Sequence, residues 1–169
     1  MSAKLATCGY LSADELAACL PASERMAKGP VAVIECVQDI PCNPCEQACP
    51  VHAITVGVPI TSLPVLDAAK CIGCGVCIAR CPGLAIFVID GSRPGGEGTV
   101  QLPYEAWPLP QPGDAVVALD RRGQRVGDGT VEKVLNATAQ DHTAVVTVRV
   151  PKELLNTVRA ISVEGRAQS

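Results

Sequence analysis

Cys71-Ile-Gly-Cys74-Gly-Val-Cys77-Ile-Ala-Arg-Cys81-Pro82 is the stretch on which the fold of this chain turns. Three cysteines at two-residue gaps can wrap one tight loop and present three thiolates to a common object. The fourth, three residues on and followed by proline, points away at the start of a helical turn, toward a different object. Gly73 and Gly75 lie between these cysteines, where the backbone must curl close to sulfur and glycine tolerates the dihedrals. Upstream, Cys36-x5-Cys42-x2-Cys45-x3-Cys49-Pro50 carries the same tail behind a longer first gap. Cys49-Pro50-Val51-His52-Ala53-Ile54 also mirrors Cys81-Pro82-Gly83-Leu84-Ala85-Ile86, so the two halves form an internal repeat.

Ten cysteines in 169 residues imply either disulfides or metal. Met1 to Tyr10 has no basic segment followed by a long apolar run, and no stretch has the length of a membrane span. The expected compartment is therefore a reducing cytoplasm, where clustered cysteines are ligands more often than bridges. Zinc could be pinched by Cys42-x2-Cys45 and Cys71-x2-Cys74, as in a non-redox interaction protein. That reading leaves Cys36, Cys49, Cys77, Cys81 and both Cys-Pro repeats without a role. Cubane iron–sulfur clusters use all of them, since the spacing after Cys71 is the bacterial two-cluster spacing.

The repeat resembles the two-[4Fe–4S] bacterial-type ferredoxin family over about residues 34–90. The resemblance implies a compact pseudo-symmetric (βαβ)2 unit. Carried over position by position, it implies one cluster on Cys36, Cys42, Cys45 and Cys81 and a second on Cys71, Cys74, Cys77 and Cys49. The family usually has a cysteine three residues before the second ligand, and here that residue is Asp39. Cys36 takes the position if the loop carries a three-residue insertion. The alternative makes Cys36 a strand residue and leaves that iron to Asp39 or open to substrate. The stretch from Gly29 through Cys49 further resembles the ferredoxin-like small subunits of multi-subunit flavin-dependent amine or amino-acid dehydrogenases, of the proline, hydroxyproline and sarcosine types. That likeness implies flavoprotein partner subunits in a hetero-oligomeric complex.

The formal net charge of −3 argues against a nucleic-acid partner. With two oxidised cubanes at about −2 each, the loaded protein would stand at roughly −7. A partner with a basic docking patch would suit it. Only Tyr10, Phe87, Tyr104 and Trp107 are aromatic, so the core depends on Val, Ile, Leu and Ala.

The expected fold class is α+β. Residues 1–33 form a helical lead, with a Ser12/Glu15 capping box, a stop at Pro21, and a second helix over about Ala22–Lys28. Residues 34–92 form the dicluster unit, entered by a strand at Val31–Val37 and closed by one at Ala85–Asp90. Residues 93–112 are rich in Gly and Pro without strand period, which predicts a linker or docking arm. In 113–169, strands at Ala115–Leu119, Gly129–Leu135 and Ala144–Val150 predict a small antiparallel barrel or sandwich. Pro151–Val158 predicts a helical turn or two, and Gln140-Asp141 a turn.

Cys8 and Cys19 lack a partner motif and read as free thiols or core residues. His52 takes the repeat position of Leu84 and is expected to pack beside a cluster; His142 reads as a solvated turn residue. There is no haem motif, phosphate loop or Ser/His/Asp set, so no active site of its own is expected. Two clusters in one small unit suit single-electron relay between a two-electron flavoprotein and a one-electron acceptor. An independent soluble ferredoxin with an appended regulatory module is the other redox reading.

Overall fold

The computed structural model describes residues 3–137 and 143–163. Gln140, Asp141 and His142, and the turn expected there, lie outside the described residues. Helices α1 (Ala3–Cys8), α2 (Ala13–Cys19) and α3 (Ser23–Met26) lead into β1 (Val31–Ile34), α4 (Pro44–Ala48), β2 (Ile54–Thr55), β3 (Val65–Leu66), α5 (Val76–Ala79) and β4 (Ile86–Asp90). Then come β5 (Glu97–Tyr104), β6 (Ala115–Leu119), β7 (Arg125–Leu135), β8 (Ala144–Pro151), a 3-10 turn at Lys152–Leu154, and β9 (Ala160–Val163).

The helical lead follows its sequence signals. Ser12 Oγ accepts from the Glu15 backbone N–H while the Glu15 carboxylate accepts from the Ser12 N–H at 2.7 Å, closing the capping box on α2. Gly29 and Pro30 follow α3, and the chain then enters β1.

β1 and β4 pair antiparallel with Val33 opposite Phe87, and both are buried on two faces. Val31, Val33, Phe87 and Ile89 join one core with Val100, Val116, Val148 and Ile161. Ala32, Ile34, Ile86 and Val88 join another, which contains Cys45, Cys49, Cys77 and Ile78. A strand covered on both faces has no polar side to show, which is why these segments are uninterrupted apolar runs. Each fully buried Val or Ile here contributes about 1.5–3 kcal/mol.

The main sheet has seven antiparallel strands in the order β1-β4-β5-β8-β7-β6-β9, and β2 and β3 form a separate two-stranded ribbon. The sheet is rolled. β1 and β9 stand at opposite ends of the strand order, yet Glu35, next to the end of β1, is ion-paired with Arg121 after β6 and Arg159 before β9. Register shifts at Ala118/Leu119 and Val131/Lys133 supply local bends. The three side chains are almost fully buried: 7% exposed for Glu35, 11% for Arg121 and 3% for Arg159. Arg159 also stacks on Phe87 at 4.9 Å and donates to the Leu155 and Val158 carbonyls.

The sheet departs from the sequence expectation in two places. Residues 93–112, expected to lack a strand, contain β5, which pairs with β8 over its whole length and with β4 from Thr99 to Gln101. Its Gly and Pro masked the alternation. Gly98 is required because a Cβ there would lie 2.5 Å from the Asp90 carbonyl oxygen and 2.9 Å from Leu155 Cδ1. Pro103 lies beyond the last β4 pair, where one edge of β5 is free of ladder bonds. The second departure is continuity. The strands after residue 113 do not close a barrel or sandwich by themselves; they share one sheet and one core with β1 and β4.

Candidate functional site

The eight cysteines of the repeat separate into two groups of four. Cys36, Cys42, Cys45 and Cys81 line one cavity, together with Gln38, Ile40 and Pro82. Cys49, Cys71, Cys74 and Cys77 line the other, with Ala32, Gly73 and Gly75. In each cavity three thiols come from one half of the repeat and one from the opposite half. Asp39 is exposed and lines neither cavity. Among the described residues no three of His, Cys, Asp and Glu converge closely enough to share a single metal ion.

Local backbone geometry explains the crossing. Cys49 ends α4 and Cys81 follows α5, each before a proline that cannot continue the helix. The His52 N–H then donates to the Cys49 carbonyl and the Leu84 N–H to the Cys81 carbonyl, both at 3.1 Å. His52 and Leu84 both have φ +50, the two non-glycine residues in the left-handed region among those described. That turn aims the next amide back at sulfur. The Ala53 N–H donates to Cys49 Sγ at 3.2 Å and the Ala85 N–H to Cys81 Sγ at 3.4 Å. The Ala32 N–H of β1 donates to Cys71 Sγ at 3.4 Å. Hydrogen bonds to a ligating sulfur stabilise the reduced state and raise the potential. His52 itself is exposed and lines neither cavity, so its role here is conformational, not the packing beside a cluster expected from the repeat.

The Cys71 loop is held from a distance. Arg25 of α3 donates through Nε to the Ala68 carbonyl at 2.7 Å, through Nη1 to Gly29 at 3.0 Å, and through Nη2 to Pro30 at 3.1 Å and Cys71 at 2.6 Å. Nothing in the spacing of the motif marks Arg25, because its partners lie up to 46 positions away. Gly73, at φ +64, packs where a Cβ would be 2.7 Å from the Pro30 carbonyl carbon and oxygen.

Three of these thiols, Cys36, Cys45 and Cys77, are held in their neutral form. Burial pushes Cys77 up to about 12, reinforced by Cys74, Cys71 and Cys49, the other members of its group. Burial pushes Cys45 up to about 11, with Cys81 and Cys42 adding to it and the Glu46 amide opposing. Cys36 is raised by burial, opposed by the Gln38 amide and reinforced by Cys81 and Cys42. Thiols in this state do not ionise unaided near neutral pH; iron in the cavity would supply the charge that makes them thiolates. All-thiol donor sets around two cavities fit [4Fe–4S] clusters, whose ligands are cysteine thiolates. Cys8 is exposed and Cys19 half-buried, and neither lines these two cavities.

Residues 35–85 match the 4Fe-4S dicluster domain family. An uncharacterized ferredoxin of Methanocaldococcus jannaschii is 42% identical over 45 residues, 27% of this chain and 28% of that protein. The polyferredoxin-like subunit of an aliphatic sulfonate oxidoreductase from Pyrococcus furiosus is 40% identical over 67 residues, 40% of this chain and 35% of the relative. Protein Pixie of Drosophila melanogaster is 28% identical over 120 residues, 60% of this chain and 19% of that protein. The chain thus spans about a third or less of the length of these relatives. No solved structure matches it significantly. The dicluster match implies two [4Fe–4S] clusters, and with the ferredoxin relatives it supports a ferredoxin-type, electron-transferring iron–sulfur protein. Among the described residues no helix is long and apolar enough to cross a membrane.

Proposed function

We propose that this chain is an electron-transfer subunit, with residues 34–92, entered through β1 (Val31–Ile34), as a pseudo-two-fold (βαβ)2 unit. Cys36, Cys42, Cys45 and Cys81 hold one cluster; Cys49, Cys71, Cys74 and Cys77 hold the other. The observation that carries the reading is the sorting of eight cysteines into two cavities with one thiol exchanged between halves. The clusters, when bound, supply one-electron storage. The protein's part is to ligate through thiolates, to shield them with the apolar group around Ile34, Ile78 and Ile86, and to set their potentials through the Ala32, Ala53 and Ala85 amides.

The partner in this proposal is a flavoprotein dehydrogenase that oxidises an amine or amino acid and passes electrons singly to this chain. Support comes from the Gly29–Cys49 stretch and from the relative that is a polyferredoxin-like subunit of an oxidoreductase. The test is anaerobic purification of the native assembly, with iron and sulfide analysis and electron paramagnetic resonance after reduction. The expected result is about eight irons per chain, two interacting reduced signals, and co-purifying flavin. A lone 17.5 kDa species without flavin would sink the subunit reading. Redox-silent, iron-poor material would sink the relay itself.

A further inference from the structure

The geometry points to Arg25 as a residue that sets the reduction potential of the centre proposed for Cys49, Cys71, Cys74 and Cys77, through a positive charge carried in by the helical lead. The inference rests on the ligand sets proposed above and adds to them a residue from outside the cysteine repeat. Arg25 belongs to α3, ahead of residue 35, where the dicluster match begins. The dicluster unit therefore does not supply this cation; the lead does.

The guanidinium is fixed against one ligating residue from two directions. Its shortest hydrogen bond, 2.6 Å from Nη2, ends on the carbonyl of Cys71 itself. The same Nη2 reaches the Pro30 carbonyl at 3.1 Å, two residues before the Ala32 amide that donates to Cys71 Sγ. Nε and Nη1 are spent on the Ala68 and Gly29 carbonyls, so the planar fork cannot swing away. Arg25 thus holds both the carbonyl of the ligand and the strand entry whose amide meets its sulfur.

The charge is not cancelled where it sits. A guanidinium stays protonated throughout the working pH range. Among the described residues no carboxylate pairs with Arg25, and the carbonyls that receive its hydrogen bonds carry no net charge. Lys70, next to Cys71 in the chain, is paired with Asp67. Arg25 is half-buried, so water screens it less than a surface charge. One electron takes a [4Fe–4S] centre with four thiolates from about −2 to about −3, and a fixed cation beside it favours the more negative state. The potential of the Cys71 centre is thereby raised beyond what the Ala32 and Ala53 amides supply. The other centre is arranged differently. Arg121 and Arg159 line a cavity with Cys36, Cys42 and Cys81, but they share Glu35, and their carbonyl partners are Asn156, Leu155 and Val158, not a cysteine.

The experiment is an electrochemical titration of the cluster-loaded full chain at fixed pH. The midpoint of each centre is read from the shifts of its cysteine β-protons by paramagnetic NMR, and thermal midpoints are taken alongside. Arg25→Met is expected to weaken the electron affinity of the Cys71 centre about tenfold, which is about 59 mV for one electron, and to move the other centre by less than about twofold. Arg25→Lys keeps the charge and loses the fork; it is expected to hold that midpoint within about threefold while thermal stability falls. Arg25→Gln keeps amide donors without charge and is expected to follow Arg25→Met in potential. Should Arg25→Met fail to hold its clusters, the comparison of Arg25→Gln with Arg25→Lys decides, a gap of about tenfold being expected. A midpoint unmoved in Arg25→Met, or equal in Arg25→Gln and Arg25→Lys, overturns the proposal and leaves Arg25 a clamp alone. So do equal shifts at both centres, which would report general loosening. An unaltered chain without reducible clusters overturns the relay reading itself, which separates that failure from failure of the Arg25 role.

Discussion

Gly73 and Cys81 show how much one residue can decide in this chain. Gly73 combines φ +64 with the backbone of Pro30 packed against its Cα, so a methyl group has neither the dihedral nor the space. Gly73→Ala is expected to cost about 2 kcal/mol or more, seen as a lower thermal midpoint and weaker retention of the cluster beside Cys71, Cys74 and Cys77. The sulfur of Cys81 lies in the cavity of Cys36, Cys42 and Cys45, not of its sequence neighbours. Cys81→Ser is therefore expected to give the spectrum and iron content of Cys42→Ser. If it matched Cys74→Ser instead, the crossed ligand sets would be wrong. The cysteine spacing could be read in sequence because thiolate ligation is a local constraint on a tight loop. The conformational role of His52 could not, because a positive φ shared with Leu84 leaves no mark on residue type.

Short elements here act as latches more than as packing units. α3 has four residues, too few to be stable alone, yet its Arg25 gathers four carbonyls from two loops, including that of Cys71. Arg25→Ala is expected to destabilise the chain by about 2 kcal/mol and to disturb the signal of the cluster proposed for Cys49, Cys71, Cys74 and Cys77 while sparing the other. Arg25→Lys should recover only part of this, since an ammonium cannot reproduce the planar fork; full recovery would show that charge alone matters. β5 is the element the sequence hid. Its inward residues Val100 and Leu102 alternate as a strand requires, but Gly98 and Pro103 are there for close packing and for an unpaired edge, and both look like loop signals.

On the scale of the whole molecule, the rolled sheet joins the cysteine repeat to the C-terminal strands through Glu35, Arg121 and Arg159. Removing the carboxylate leaves two buried guanidiniums facing each other. Glu35→Ala is expected to cost about 3 kcal/mol or more by thermal or denaturant unfolding. Glu132→Ala, at the more exposed pair with Arg93, should cost less than about 1 kcal/mol. Equal effects would remove the buried triad from its place in holding the roll. Iron removal should separate the two cores. Residues around Cys42–Leu84 are expected to lose amide protection in hydrogen exchange, while β5, β7 and β8, packed on Val100, Val131 and Val148, keep theirs; uniform loss would mean a single cooperative unit. By itself the sequence determined the cysteine spacing and the two-fold repeat. It also set the strands whose runs are apolar throughout or strictly alternating, because ligand reach and side-chain period act over a few residues. Only the tertiary structure decided that the β strands after residue 113 share a core with β1 and β4, that Arg25 clamps the Cys71 loop, and that Glu35 meets two arginines. The Arg25 and Glu35 contacts among these join positions from 43 to 124 residues apart. At such separations the pairing is set by how the sheet rolls, not by any local pattern.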